Sequence, residues 1–99
     1  MPAYEIRFTA PALEDLEWLR KVDQTAVLEA VQRLLSPQPG VEARNRKRLC
    51  EHPLASWEIR VGRFRVFYNL PAEVRIVEVV AVGWKEREQL YVRGKLVKL

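Results

Sequence analysis

The sequence predicts an α+β domain in which a helical hairpin packs on one face of a small antiparallel meander sheet, in the order β-α-α-β-β-β. Two apolar stripes at helical spacing follow a short alternating segment in the first third of the chain. Three consecutive strand patterns come later, and such strands commonly pair as an antiparallel meander against the helices. The 99 residues, 48% of them apolar, suit a single domain over residues 1–99.

The first strand and both helices are predicted in the first third of the chain. Tyr4–Phe8 alternates apolar and polar residues, which is typical of a short strand. Thr9 then offers an N-cap for the first helix, and Asp23 resembles the cap of the second. The second helix must end at Ser36–Gly40, because two prolines and a glycine do not continue a helix. The apolar stripe of the first helix is formed by Leu13, Leu16 and either Leu19 or Trp18.

Three strands are predicted in the second half of the chain. Trp57–Val61 alternates cleanly, and Gly62 with Arg63 suits a tight turn into a return strand at Phe64–Tyr68. The β-branched run Val74–Val82 is the longest, so we expect it to be the central strand, ended by Gly83.

Other segments give weaker signals. Residues 41–56 are polar and irregular, with a basic cluster at Arg44–Arg48. Residues 85–91 are mostly charged and suit either a short helix or an irregular tail. Residues 92–99 are compatible with a helix, a strand or a tail, since Gly94 interrupts any longer helix.

Charge is distributed unevenly along the chain. The formal net charge is +4 and the calculated pI is about 9.6. Residues 1–35 carry four basic and six acidic side chains, a net charge of −2, whereas residues 36–99 carry 13 and 7, a net charge of +6. A basic second part of this kind points to a polyanion or an acidic protein as partner, although a solvated surface would show the same composition.

Composition also excludes several classes of protein. No apolar run reaches the roughly 18–20 residues that a membrane span needs, and the N-terminus does not resemble a secretory signal. The single cysteine, Cys50, excludes an internal disulfide and a multi-cysteine zinc site. We therefore expect a cytoplasmic protein without a membrane segment.

A few single residues are assigned by their surroundings. Trp18 and Trp57 lie on apolar faces and are expected in the core, and Tyr68 is expected to pack under the sheet. Cys50 is interpreted as a small buried residue. His52 is interpreted as a loop residue without chemistry, because the sequence identifies no catalytic partner carboxylate for it and contains no second histidine.

The predicted sheet has one face that the helices do not cover. That face would carry Glu58, Arg60 and Arg65, with Lys85 and Arg87 near the end of the last strand. Like charges at close range repel one another, and removing them from water costs still more. An anion bound on this face explains such a set of residues better than packing does.

The second half of the chain resembles a known group of proteins. The stretch Trp57–Tyr68 (WEIRVGRFRVFY), the run Val74–Val82 and the segment Gly83–Tyr91 (GWKEREQLY) look like the RelE/ParE superfamily of toxins from prokaryotic toxin–antitoxin pairs, and the RelE mRNA interferase branch in particular. The resemblance covers nearly the whole chain and implies a RelE-like fold. No single short motif carries it.

The resemblance to the RelE branch implies an endoribonuclease that inhibits translation. Such enzymes cut mRNA in the ribosomal A site, where the 2′-hydroxyl of the RNA attacks the adjacent phosphate, with no metal and no cofactor. The phosphate gains negative charge during the reaction, and fixed cations beside it stabilise the transition state. The implied catalytic residues are Arg60, Arg65, Lys85, Arg87 and Tyr91.

These residues have separate implied roles. Arg60 would lie against the scissile phosphate, and Arg65 would stabilise charge on the phosphate and the leaving oxygen. Lys85 and Arg87 would add positive charge after the last strand, while Tyr91 would stack on or orient the A-site nucleotide. Implied or candidate substrate-binding residues are Arg46, Lys47, Arg48, Glu58 and Trp84.

Two positions depart from the best-known ribonuclease member. Glu58 stands where that member has a lysine, and it would act either as a general base or as a structural partner of Arg60 or Arg65. We favour the structural pairing, because a carboxylate held between arginines is a weak base. Lys85 replaces the usual arginine, so it keeps the charge but loses the two-pronged hydrogen bonding of a guanidinium.

The resemblance also implies partners and leaves alternatives open. The implied partners are mRNA, the ribosome with the rRNA of its A site, and a cognate acidic antitoxin. The antitoxin would form a toxin–antitoxin hetero-oligomer by placing a helix in the groove between the helical hairpin and the sheet. ParE-type members share the fold but inhibit DNA gyrase and cut no RNA. A catalytically inactive relative that only binds antitoxin is the third possibility.

Overall fold

The chain forms two helices and a seven-stranded sheet, as the computed structural model describes it over residues 3–72 and 75–97. This arrangement confirms the predicted α+β class, and it adds three strands to the predicted order. The elements are β1 (Glu5–Phe8), α1 (Ala10–Glu17), α2 (Lys21–Leu35), β2 (Arg46–Arg48), β3 (Trp57–Val61), β4 (Phe64–Asn69), β5 (Ile76–Glu86), β6 (Gln89–Val92) and β7 (Lys95–Val97).

The sheet is an antiparallel meander with one parallel addition. Strands β2 to β7 lie in chain order, and each pairs antiparallel with the next. Strand β1 pairs parallel with β5, where Phe8 lies opposite Val79. Further along β5, Gly83 lies opposite Val92 of β6. Strand β5 is therefore central, as predicted, and one of its edges changes partner from β1 to β6.

The helices begin and end close to the predicted residues. The hydroxyl of Thr9 accepts a hydrogen bond from the Ala12 N–H at 3.3 Å, which confirms the predicted N-cap of α1. Helix α2 begins at Lys21, so Asp23 lies inside its first turn and forms an ion pair with Arg20 at 3.2 Å; the prediction that it caps the helix was wrong. Within the described part of the chain, neither helix combines the length and apolarity needed to cross a membrane.

The core has a large side under the helices and a smaller side opposite. Val27 and Leu35 of α2 pack against Ile59 and Val66 of the sheet, all fully buried. Tyr68 is buried under the sheet, as predicted, and its hydroxyl donates a hydrogen bond to the Pro39 carbonyl at 2.6 Å. The smaller cluster, on the other side of the sheet, contains Ala55, Phe67, Ala81, Leu90 and Val92.

Two side chains that were predicted in the core lie at the surface. Trp57 is buried as expected, but Trp18 is 58% exposed. Helix α1 ends at Glu17, so Trp18 follows the helix as its C-cap and leaves the apolar stripe. Cys50 is also exposed, in the segment that leads from β2 to β3.

The C-terminal quarter differs most from the prediction. Strand β5 continues through Gly83 to Glu86 and β6 follows at Gln89–Val92, where a short helix or an irregular tail was predicted. Strand β7 at Lys95–Val97 agrees with the strand among the alternatives for residues 92–99. A Cβ atom at Gly83 would lie 2.3 Å from the Tyr91 carbonyl oxygen, so this glycine permits close packing rather than ending the strand. Val74, predicted as the first residue of this strand, and residues 98–99 lie outside the described residues.

A buried carboxylate occupies the place where β5 changes partner. The Asp15 side chain of α1 is fully buried and accepts a hydrogen bond from the Val82 N–H at 2.9 Å. Its other oxygen lies 2.9 Å from Nε of Arg93. Burial raises the pKa of Asp15, while the Val82 hydrogen bond and the Arg93 charge act in the opposite direction. Asp15 thus joins α1 to the centre of the sheet.

Candidate functional site

The open face of the sheet, which we define as the side opposite the two helices, gathers five of the predicted site residues, four of them on strands β3 to β5 and the fifth, Lys47, on β2. Directly opposite residues on neighbouring strands share a face, and Arg60 lies opposite Arg65. Glu58 alternates with Trp57 and Ile59, which are in the helix-side core, so it shares this face. The same alternation along β5 places Lys85 there, because its neighbour Trp84 packs against the helix-side core.

Glu58 and Arg60 form an ion pair on this face. The Arg60 Nε donates to Glu58 Oε1 at 3.1 Å. Glu58 is only 7% exposed, whereas the Arg60 side chain is 49% exposed. Lys47 lies opposite Glu58 on β2. The geometry agrees with the structural pairing that the sequence favours, since Glu58 is engaged and buried while Arg60 keeps half its surface in water.

Arg65 is held rigidly and retains an unused donor. One terminal nitrogen donates to the carbonyls of Gly62 and Phe64 at 2.8 and 3.0 Å. Its Nε is buried, and within residues 3–72 and 75–97 it has no hydrogen-bond acceptor. Burial lowers the pKa of Arg65; the Glu58 carboxylate opposes this shift, and the Arg60 charge adds to it. A guanidinium stays protonated regardless, so the face holds a fixed, partly desolvated cation beside a second arginine.

His52 contributes to this face, although sequence reasoning assigned it no role. Its ring stacks on Phe67, with 5.2 Å between centroids and an angle of 26° between planes. Its Nδ1 accepts a hydrogen bond from the Leu54 N–H at 3.1 Å. Burial lowers the pKa of His52, and the Glu58 charge acts in the opposite direction. Nothing local in the sequence signals this stack, because its two rings belong to segments that meet only in the folded chain.

Five of the predicted residues lie away from the open face: two belong to the basic cluster described below, and three belong to the end of β5 and the strand after it. Tyr91 lies opposite Trp84, on the helix side, and the two rings stack with centroids 6.0 Å apart. The Tyr91 hydroxyl lies 3.2 Å from Oε1 of Gln89, to which it donates. Arg87 lies in the exposed turn between β5 and β6, with a positive φ of 52°. The structure therefore does not bring Tyr91, Trp84 and Arg87 together with Arg60 and Arg65.

The basic cluster before β3 is divided between two environments. Arg46 is 9% exposed and lies opposite Ile59, which is on the helix side. Its guanidinium donates to the carbonyls of Val41 and Leu34 and so fixes the segment after α2. Lys47 shares the open face, whereas the exposed Arg48 lies opposite the helix-side Trp57.

A concave surface lies on the helix side of the sheet. This groove, with a cavity volume of about 280 Å³, lies between the α1–α2 corner and the end of β5. Its lining combines aromatic rings with charges of both signs, and Trp18 is its most exposed aromatic residue. The lining residues are Trp18, Leu19, Arg20, Asp23, Arg63, Trp84 and Glu86. No three His, Cys, Asp or Glu side chains in the described ranges form a cluster that suits a metal ion.

Comparisons with known proteins agree with this architecture. A family model described as the ParE toxin of the type II toxin–antitoxin system parDE matches residues 6–89. The crystal structure of the RelBE2 toxin–antitoxin complex from Mycobacterium tuberculosis contains a chain that superimposes with a TM-score of 0.72 at 29% identity. The match covers 86% of this chain and 100% of that one. A search of the curated proteins finds no match.

Proposed function

This chain belongs to the ParE toxin family of type II toxin–antitoxin systems, within the RelE/ParE superfamily, and we propose that it acts as a ribosome-dependent mRNA endoribonuclease. Its substrate is mRNA in the ribosomal A site, so it works in the cytoplasm and inhibits translation. The observation that carries the proposal is the Arg60–Arg65 pair on the open face, where Arg60 keeps half of its side-chain surface in water beside an Arg65 that two backbone carbonyls hold in place.

A phosphate diester suits this pair of arginines. Its oxygens accept hydrogen bonds from guanidinium groups in the bidentate geometry that such planar groups favour. Arg65 is already fixed by two backbone carbonyls, so little side-chain freedom is lost when a phosphate binds. Glu58 orients Arg60 and leaves half of it exposed to a substrate. Lys85 shares the face and adds a cation without fixed hydrogen-bond geometry.

The proposed reaction uses the RNA as its own nucleophile. The 2′-oxygen of one nucleotide attacks the adjacent phosphorus and releases its proton to solvent, while the bond from phosphorus to the 5′-oxygen breaks. The 5′-oxygen takes a proton from solvent, which leaves a 5′-hydroxyl and a 2′,3′-cyclic phosphate. Arg65 and Arg60 stabilise the extra negative charge of the five-coordinate phosphorus, and removing one such donor commonly costs about 100- to 1,000-fold in rate.

Cleavage with and without ribosomes is the direct test. Purified protein is incubated with mRNA, with or without translating ribosomes, and the cuts are mapped by primer extension. We expect cuts at A-site codons only when ribosomes are present. Arg65→Ala should lower the rate about 100-fold or more, while Arg33→Ala, which removes an exposed cation from the end of α2, should not change it. Equal loss in both variants would contradict a role for the open face.

Glu58 provides a separate test of the chemistry. Glu58→Gln keeps an oxygen that accepts from Arg60 Nε but removes the group that would take a proton. If Glu58 only positions Arg60, cleavage should fall by less than about tenfold. A loss of about 100-fold or more is the range for a lost general base, and it would assign that role to Glu58.

We also propose an acidic antitoxin as protein partner, bound in the helix-side groove. The partial exposure of Trp18 and Trp84, the net charge of +4, and the relative crystallised as a toxin–antitoxin complex support this partner. Binding of a helix there would shield both indoles from water. Coexpressed antitoxin should therefore lower the quenching of tryptophan fluorescence by iodide, and Trp18→Ala should weaken the complex.

DNA gyrase inhibition is the second candidate function. The description of the matching family as ParE favours it, as does the position of Tyr91 away from the arginine pair. A protein that stops growth but cuts no mRNA with ribosomes, and that inhibits supercoiling by purified gyrase, would replace the first proposal. A protein inactive in both assays that still binds antitoxin would be an inactive relative.

A further inference from the structure

The stacked pair of His52 and Phe67 lies next to the arginines of the open face. Phe67 is the cross-strand partner of Glu58 and follows Arg65 by two positions on β4. Residues two apart on a strand point to the same face and lie about 7 Å apart. The His52 ring therefore sits within one nucleotide's reach of the cations proposed to hold the phosphate.

Phe67 and a backbone hydrogen bond hold the His52 ring in place, and His52 keeps part of its surface exposed. Phe67 is fully buried, and Leu49, Leu54 and Ala55 pack in the same cluster. The Leu54 N–H bond to Nδ1 fixes the orientation of the imidazole, so Nε2 carries the proton in the neutral ring. His52 itself is only half-buried. An aromatic ring that is held in place and keeps part of its surface in water suits base stacking, which is the main way proteins hold unpaired RNA bases.

We propose that His52 is the platform on which a base of the RNA substrate stacks, next to the phosphate held by Arg60 and Arg65. The inference rests on the proposed ribonuclease function and deepens it, since it names the contact that positions the nucleotide. The resemblance gives this contact to Tyr91. Tyr91, however, lies on the helix side, where its ring already stacks on Trp84.

The test uses a short single-stranded RNA that reports stacking directly. The RNA carries 2-aminopurine beside a 2′-deoxy nucleotide, which blocks cleavage, and its fluorescence falls when the base stacks. Wild-type protein should bind the probe and quench it. His52→Ala should weaken binding about tenfold and abolish the quenching, because loss of one stacking ring is worth about that factor. His52→Phe, which keeps an aromatic ring but no imidazole nitrogen, should retain both.

Each other outcome has a definite meaning. Unchanged quenching in His52→Ala overturns the inference, as does quenching that Tyr91→Ala removes and His52→Ala does not. Circular dichroism shows whether His52→Ala folds. If it does not fold, the folded His52→Phe protein provides the test, and loss of 2-aminopurine quenching in that variant overturns the stacking proposal. Ribosome-dependent cleavage by wild type with no effect of His52→Ala refutes this inference alone. Absence of probe binding and of cleavage by wild type refutes the proposed function as well.

Discussion

Asp15 offers a sharp test of how α1 is attached to the sheet. Strand β5 is paired with β1 up to Val79 and with β6 from Gly83, so the Val82 N–H falls between two partners. The buried Asp15 carboxylate accepts that N–H at 2.9 Å. Asp15→Ala removes this acceptor, and within residues 3–72 and 75–97 no other group accepts a hydrogen bond from the Val82 N–H.

The expected cost follows from the group that is left behind. A buried N–H without an acceptor costs about 1–3 kcal/mol, and we expect Asp15→Ala to lower the free energy of unfolding by about 2 kcal/mol. The ion pair with Arg93 adds little, because the Arg93 side chain is 41% exposed. In a domain of 99 residues, a loss of this size lowers Tm by about 10 °C.

Urea unfolding followed by circular dichroism measures the change. Glu14→Ala is the matched control, since Glu14 neighbours Asp15 and also pairs with Arg93, at 3.3 Å, but its side chain is 66% exposed. The control should cost less than about 0.5 kcal/mol. If Asp15→Ala unfolds with the wild-type midpoint, or if Glu14→Ala costs as much, the buried carboxylate does not hold α1 to the sheet.

The ionisation of Asp15 adds a pH dependence of known sign. Burial raises the pKa of Asp15 above 3.8, so the folded state binds its proton more tightly than the unfolded chain does. The free energy of unfolding therefore falls as pH rises from about 3.8 through the raised pKa. Asp15→Asn keeps an acceptor for Val82 but does not titrate. Wild type should lose stability relative to Asp15→Asn across this range, and parallel pH profiles would refute the argument.

Three further substitutions test other contacts. Tyr68→Phe leaves the Pro39 carbonyl without its donor and should cost about 1 kcal/mol in urea unfolding, while an unchanged midpoint would show that the carbonyl is satisfied otherwise. Gly83→Ala places a Cβ 2.3 Å from the Tyr91 carbonyl oxygen and should cost about 2–3 kcal/mol; a wild-type thermal transition would contradict this close approach. Arg46→Ala removes two hydrogen bonds to backbone carbonyls and should cost about 2 kcal/mol in the same urea assay. An unchanged unfolding midpoint would show that the Arg46 side chain is solvated and does not stabilise the fold.

Period-two patterns predicted the parts of the fold that carry the candidate site. The alternation in Trp57–Val61 and the turn at Gly62 predict the β3–β4 hairpin, and Gly62 takes the positive φ of 58° that such a turn uses. The same alternation predicted that Glu58, Arg60 and Arg65 share a face. These features are local, so the sequence displays them directly.

The remaining parts depend on contacts between distant segments. The β5–β6 turn is formed by Arg87 and Glu88 at positive φ, a conformation usually marked by Asn or Gly, so no turn signal was visible. The register of β6 follows from that turn, and a shift of one residue moves every side chain to the other face. The resemblance implied that Tyr91 would contact the nucleotide beside the arginines, and the register of β6 places it on the helix side instead. The His52 stack depends in the same way on a loop folding back over Phe67.

The short end strands also bear on how the molecule behaves at high concentration. An unpaired sheet edge can recruit the edge of a second copy and begin an aggregate. The β2 end of the meander has only three residues, and Lys47 and Arg48 follow Arg46 there. The β7 end also has three residues and begins with Lys95. Two copies that met edge to edge at β2 would bring positive side chains close together, and these would repel one another. Charge on the shortest strands therefore disfavours pairing of sheet edges between molecules.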